Sequence, residues 1–119
     1  MSTPPASSTS SWLINLMPYF LQQTKERLTE IEAHRQAVYE GNDAVAAMNA
    51  ICDVAHKISG TADTFGFRDL SVLAQSVEKI WLLEGSPFDD TSIGWFRIEP
   101  TLILLIDEIL NVLKAQTHQ

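Results

Sequence analysis

Apolar residues recur every three or four positions along most of this 119-residue chain. No segment pairs a period-two alternation with hairpin-forming residues. Spacing of three and four puts side chains on one face of an α-helix, because successive residues turn by about 100°. The chain therefore reads as all-α. Phe20, Leu21, Thr24, Leu28, Ile31, Arg35 and Val38 predict one face of a first helix over 12–39. Pro18 is expected to start the main part of that helix, since a proline inside one loses a hydrogen bond. Gly41 and Asn42 supply its stop. Val45, Met48, Cys52, Ala55, Ile58, Ser59 and Ala62 give the stripe of a second helix, from Asn42 or Asp43 to Thr64. Leu70, Leu73, Ala74, Val77, Ile80 and Trp81 give that of a third, over 68–84. Gly85-Ser86-Pro87 ends it, and Asp89, Asp90, Thr91 and Ser92 are candidate N-caps for the next helix. The last helix is expected to bury Leu102, Leu105, Ile106, Ile109, Leu110 and Leu113. Pro100 leaves two readings of its start: a short helix ending before the proline, or a helix with Pro100 in its first turn. Four amphipathic helices on short loops predict an antiparallel up-down four-helix bundle with an extra N-terminal helical segment. The expected organisation is a flexible tail over 1–10, the bundle over 11–116 and a C-terminal tail over 117–119.

Composition narrows the function. Hydrophobic residues at 45% can fill a core, and charged residues at 19% are too few for a disordered chain. A formal net charge of −7 argues against nucleic acid or an anionic membrane as the main partner, because phosphate backbones need a clustered cationic surface. Cys52 is the single cysteine, so no internal disulfide can form and a reducing compartment is the natural setting. Met1 to Ser11 lacks the basic and apolar regions of a secretory signal. The longest aliphatic run, Leu102 to Ile106, is too short to cross a bilayer. The expected location is cytoplasmic.

The residue that carries chemistry is His56. On a helical wheel, the centre of the second helix's buried face lies about 100° from His56, which places the imidazole on the rim, beside the core and open to solvent. Asn49 and Gly60 lie near it in azimuth, and Asp53 lies further toward the polar side. Gly60 is one turn along on the same face. A mid-helix glycine costs about 1 kcal/mol relative to alanine, and two readings account for it: access to the ring for a phosphoryl group or another protein, or close packing of another helix. A free imidazole titrates near pH 6.5, so neutral imidazole is an available nucleophile near neutral pH. Phosphoryl transfer depends mainly on positioning and charge neutralisation. A bare histidine on a rigid scaffold can thus act as a carrier, with the metal supplied by its partner.

The stretch Ala55-His56-Lys57-Ile58-Ser59-Gly60-Thr61-Ala62-Asp63-Thr64-Phe65-Gly66-Phe67, with Leu70 three residues later, resembles the histidine-phosphotransfer (HPt) family. His56, a glycine four residues on at Gly60, a second glycine six residues later at Gly66, and Leu70 opening the next helix match the family pattern in type and spacing. The sequence departs from it at Ser59, where the family often has a lysine that helps neutralise the phosphoryl group; the nearest lysine is Lys57. The resemblance implies a phosphocarrier that relays a phosphoryl group through His56 between a histidine kinase or a receiver aspartate and another receiver domain, in two-component signalling. Gly60, Ser59, Lys57, Asp53 and Asn49 would neighbour the phosphoryl group, and Gly66 and Leu70 would be structural. It implies no cofactor on this chain, with Mg²⁺ held by the receiver partner. It also implies a monomeric carrier without an ATP-binding kinase domain, whose partners are a response-regulator receiver and a histidine kinase. The alternative is a non-phosphorylated adaptor or inhibitor of the same fold that binds a kinase or receiver.

Other residues read more plainly. His34 is expected at the solvated surface, and His118 is assigned no role. Cys52 and His56 have i,i+4 spacing, but two ligands without a third make a weak case for metal. Phe65 and Phe67 are expected to plug the end of the bundle near Gly66, and Trp12, Trp81 and Trp95 to act as core or loop anchors. Lys57, Arg68 and Lys79 form either a small basic margin or scattered solvated charges.

Overall fold

A computed structural model describes residues 5–85 and 91–117. Its elements are α1 (Pro5–Tyr39), α2 (Ala44–Thr64), α3 (Arg68–Ile80), a π-helical turn (Trp81–Gly85) and α4 (Thr91–Thr117). Among the described residues there is no strand. Each helix packs on the next and α4 returns to α1, which closes a four-helix bundle.

The core forms where the apolar stripes meet. Phe20 and Ile31 of α1, Met48, Ile51, Ala55 and Ile58 of α2, Leu70, Ala74 and Val77 of α3, and Leu102, Leu105 and Ile109 of α4 are buried. Two residues expected in the core lie outside it. Val45 sits in the first turn of α2, where neighbouring helices no longer cover it, and Leu110 faces outward while Val112 takes the inward position. His34 is half-buried rather than fully solvated.

Two chain reversals share one chemistry. Gly41 and Gly66 have φ of 69° and 82°, a left-handed conformation that a Cβ disfavours. At the first, the Asn42 N–H donates to the Ala37 carbonyl and Gly41 to Val38; at the second, Phe67 donates to Ala62 and Gly66 to Asp63. Both are complete Schellman motifs, which satisfy the last carbonyls of a helix. Asp43 then caps α2, its side chain accepting from the Ala46 N–H, with its own φ at 49°. Beyond the second turn, Phe20 stacks on Phe65 and Phe67, with ring centroids 4.6 Å and 5.2 Å apart. These three rings close that end of the bundle.

The proline expectations need correction. Helix α1 runs through Pro18, and α4 runs through Pro100 from a start at Thr91, so neither reading of Pro100 holds. An interior proline costs about 3 kcal/mol. Here both prolines and the residues four positions earlier, Ile14 and Phe96, are exposed, which lets water reach the carbonyl each proline leaves unpaired. Residues 5–10, expected as tail, belong to α1. Pro5 opens the helix at a position where a missing N–H costs nothing, and no separate N-terminal segment precedes the main helix among the described residues. Thr91 and Ser92, considered as caps, lie within α4, while Asp89 and Asp90 fall outside the described residues. The third helix gives way at Trp81 to a wider π-helical turn, with i→i+5 bonding.

Candidate functional site

The α2–Gly66–α3 hairpin determines what faces His56. His56 precedes Phe67 by eleven residues and Glu78 comes eleven residues after it. In antiparallel helices rising 1.5 Å per residue, both side chains reach the same height, about 16 Å from the turn. The His56 Nδ1 lies 2.8 Å from a Glu78 carboxylate oxygen. The His56 side chain is 71% exposed and that of Glu78 26%, so the carboxylate is held against the bundle while the far edge of the imidazole faces solvent.

Hydrogen bonds on either side of this pair fasten α2 to α3 and to the π-helical turn that follows it. The Trp81 indole N–H donates to the Asn49 side-chain oxygen at 2.6 Å. The Ser71 hydroxyl donates to the Ser59 carbonyl at 3.1 Å, and Gln75 donates to the Ser71 hydroxyl at 3.2 Å. Between them the Cys52 thiol lies 3.7 Å from the Glu78 carbonyl. Burial pushes that thiol up to about 12, with the charges of Glu78 and Asp53 adding to the effect. It is therefore a neutral, inert group beneath the site.

The residues expected around the phosphoryl group do not all gather there. Gly60 is exposed, and a Cβ placed on it would meet nothing within 4 Å. That removes the close-packing explanation of this glycine and leaves open space one turn from His56. Asp53 and Lys57 are exposed on α2. Asn49 is exposed but engaged by Trp81, so it braces the hairpin. Ser59 requires correction as a site neighbour: it is buried, and its hydroxyl donates to the His56 carbonyl at 2.9 Å. Three residues turn by about 300°, which brings position 59 back to the core side. Its place is in the apolar stripe to which its spacing also assigned it. Gly66 lies in the left-handed turn and Leu70 in the core. Arg68 and Lys79 are exposed on α3.

Glu78 is absent from the residues that the sequence singles out. The signal for it was present: once Gly66 is read as the turn of an antiparallel pair, counting equal numbers of residues from Phe67 leads from His56 to Glu78.

The family model of the Hpt domain matches residues 15–115. The chain belongs to the Hpt domain family. The match spans all four helices, from the first half of α1 to the last turns of α4. No curated protein and no solved structure matches the chain. Hpt domains are phosphotransfer modules of two-component phosphorelays, carry no kinase domain, and interact with receiver and kinase domains. Among the described residues, no helix of this Hpt domain is long and apolar enough to cross a membrane.

Proposed function

We propose that this Hpt domain carries the phosphoryl group on Nε2 of His56 and exchanges it with the aspartate of a receiver domain, with a histidine kinase or a receiver as donor. The observation that carries this reading is the 2.8 Å contact between Nδ1 and Glu78 beside an otherwise exposed ring. A carboxylate accepts hydrogen bonds, so the neutral ring keeps its proton on Nδ1 and has its lone pair on Nε2. In the transfer, that lone pair attacks the phosphorus of the receiver's acyl phosphate. The N–P bond forms, the P–O bond to the aspartate breaks, and the carboxylate leaves with the electron pair. Positive charge then builds on the ring, and the fixed Glu78 carboxylate offsets it. The reverse attack by a receiver carboxylate returns the ring to its starting tautomer.

Gly60 leaves room for the approaching receiver, whose bound Mg²⁺ supplies the charge neutralisation that this chain lacks at position 59. Lys57 is the nearest lysine in sequence to contribute, and Asp53 lies about one turn before His56 on α2. The interface is transient and modest in area, as a relay requires. The carrier acts as a monomer in the cytoplasm.

The test is His56→Gln with a phosphorylated receiver as donor. The ring is exposed, so the variant keeps its helical circular dichroism, and it takes up no label. The unaltered protein gives an acid-labile, base-stable phosphoramidate. Full labelling of the variant would falsify the assignment. An unlabelled wild-type protein that still binds the receiver would favour the adaptor.

A further inference from the structure

Glu78 can hold the Nδ1 proton of His56 only while the end of α3 stays in register with α2, and its own helix does little to ensure that. Glu78 lies two residues before the end of a 13-residue helix, and an isolated helix of that length is marginal in water. The backbone ladder loosens just beyond it: the Trp81 N–H is shared between the Glu78 and Val77 carbonyls, and the π-helical turn begins at Trp81. We propose that Trp81 and Asn49 are positioning residues for the transfer, their hydrogen bond holding Glu78 against His56 and so fixing the ring proton on Nδ1. This role rests on the phosphotransfer reading of His56.

The bond joins the two faces that carry the site. Asn49 precedes His56 by seven residues, a rotation of about 700°, so the two share one face of α2. Trp81 follows Glu78 by three residues, within a single turn. The Trp81 indole N–H donates to the Asn49 side-chain oxygen at 2.6 Å, and Trp81 is only 4% exposed, so the donor is anchored in the core. An indole nitrogen can only donate, and a buried donor that loses its acceptor is destabilising. The end of α3 is thereby tied to α2 one turn from Glu78. On the hinge side the Gly66 turn and the Ser71–Ser59 bond already fix the two helices. On the far side the Trp81–Asn49 bond is backed by the Cys52 thiol, 3.7 Å from the Glu78 carbonyl, and a thiol is a weak donor. Asn49 is exposed, so core packing does not call for an amide there.

The experiment reads His56 in two ways. Long-range nitrogen–proton NMR at about pH 9, well above the titration of a free imidazole, gives the tautomer. Single-turnover transfer from a labelled receiver gives the rate. Asn49→Ala removes the acceptor at an exposed position, and Trp81→Phe removes the donor but keeps an aromatic ring. Each should lower the ratio of Nδ1–H to Nε2–H tautomer about threefold or more and slow transfer about three- to tenfold, less than removal of the carboxylate itself. The double variant should be no slower than either single one, because the same bond is lost. Asn49→Asp keeps an acceptor oxygen and should bring both readings to within about twofold of wild type. In a Glu78→Ala background, Asn49→Ala should change neither reading. Should Trp81→Phe unfold, which circular dichroism reports, the two Asn49 variants carry the test. A folded Asn49→Ala protein with wild-type tautomer and rate overturns the proposal, as does an effect that persists without Glu78, or additive losses in a folded double variant. A wild-type protein that takes no label sinks the phosphotransfer reading itself, whereas a labelled one whose Asn49→Ala variant keeps its tautomer sinks the positioning role alone.

Discussion

Replacing Glu78 by alanine isolates the contribution of the carboxylate beside His56. Charge-assisted hydrogen bonds contribute about 1.5–3 kcal/mol when well shielded, whereas exposed ion pairs contribute about 0.2–1 kcal/mol. The pair lies between these limits, with one partner 71% and the other 26% exposed. The expected loss is about 1–2 kcal/mol of transition-state stabilisation, or about 5- to 30-fold in rate. Glu78→Gln retains an acceptor oxygen for the Nδ1 proton but not the charge, so its rate should fall between the two. The assay is single-turnover transfer from a labelled receiver at saturating carrier, with the phosphohistidine isomer identified by phosphorus NMR. Glu78 is half-buried at the surface of the hairpin and its variants should remain folded, which circular dichroism checks. A folded Glu78→Ala protein with a rate within twofold of wild type would refute the reasoning, and so would phosphorylation found on Nδ1.

Gly60→Ala should separate stability from transfer: the open space around position 60 accepts the methyl group, thermal unfolding should show a gain of about 0.5–1 kcal/mol, and transfer to the receiver should slow. Gly66→Ala forces a Cβ into φ 82° and should lower the urea-unfolding free energy by about 1–2 kcal/mol, with no change in the pH dependence of transfer. Cys52, with its thiol pushed from 9.0 to about 12 by burial, favours the folded state while protonated. That contribution is intact below pH 9 and is lost as pH rises toward 12. Unfolding scans over this window should therefore fall more steeply for wild type than for Cys52→Ala, and native Cys52 should resist thiol reagents at pH 8.

The spacing of apolar residues was enough to read four helices and most of their buried faces. The glycines at 41 and 66 marked both sharp turns, because left-handed geometry ends a helix at each of them. Pro18 and Pro100 were misleading for a physical reason. A local rule counts the lost hydrogen bond, while the surrounding bundle supplies enough packing to carry a helix through it when the freed carbonyl reaches water. At the site, the wheel put His56 on the rim, where the structure has it. The same wheel cannot show what a second helix presents. Glu78 comes from α3, and it emerges only once the two helices are set side by side. Ser59 had two incompatible places, a core stripe and a phosphoryl neighbour, and burial decided for the first. Leu110 was placed inward by a stripe that is too broad at the end of α4.

The two-helix hairpin works like a pair of callipers whose opening is set at the hinge. His56 and Glu78 are jaws at matched distances from Phe67, so a residue inserted in either arm between jaw and hinge would swing one jaw well away from the other. Lengthening α1 or α4, or fusing other sequence to either terminus, leaves that spacing alone. Such a tool can be mounted on different handles, and an insertion between positions 56 and 78 puts it out of adjustment.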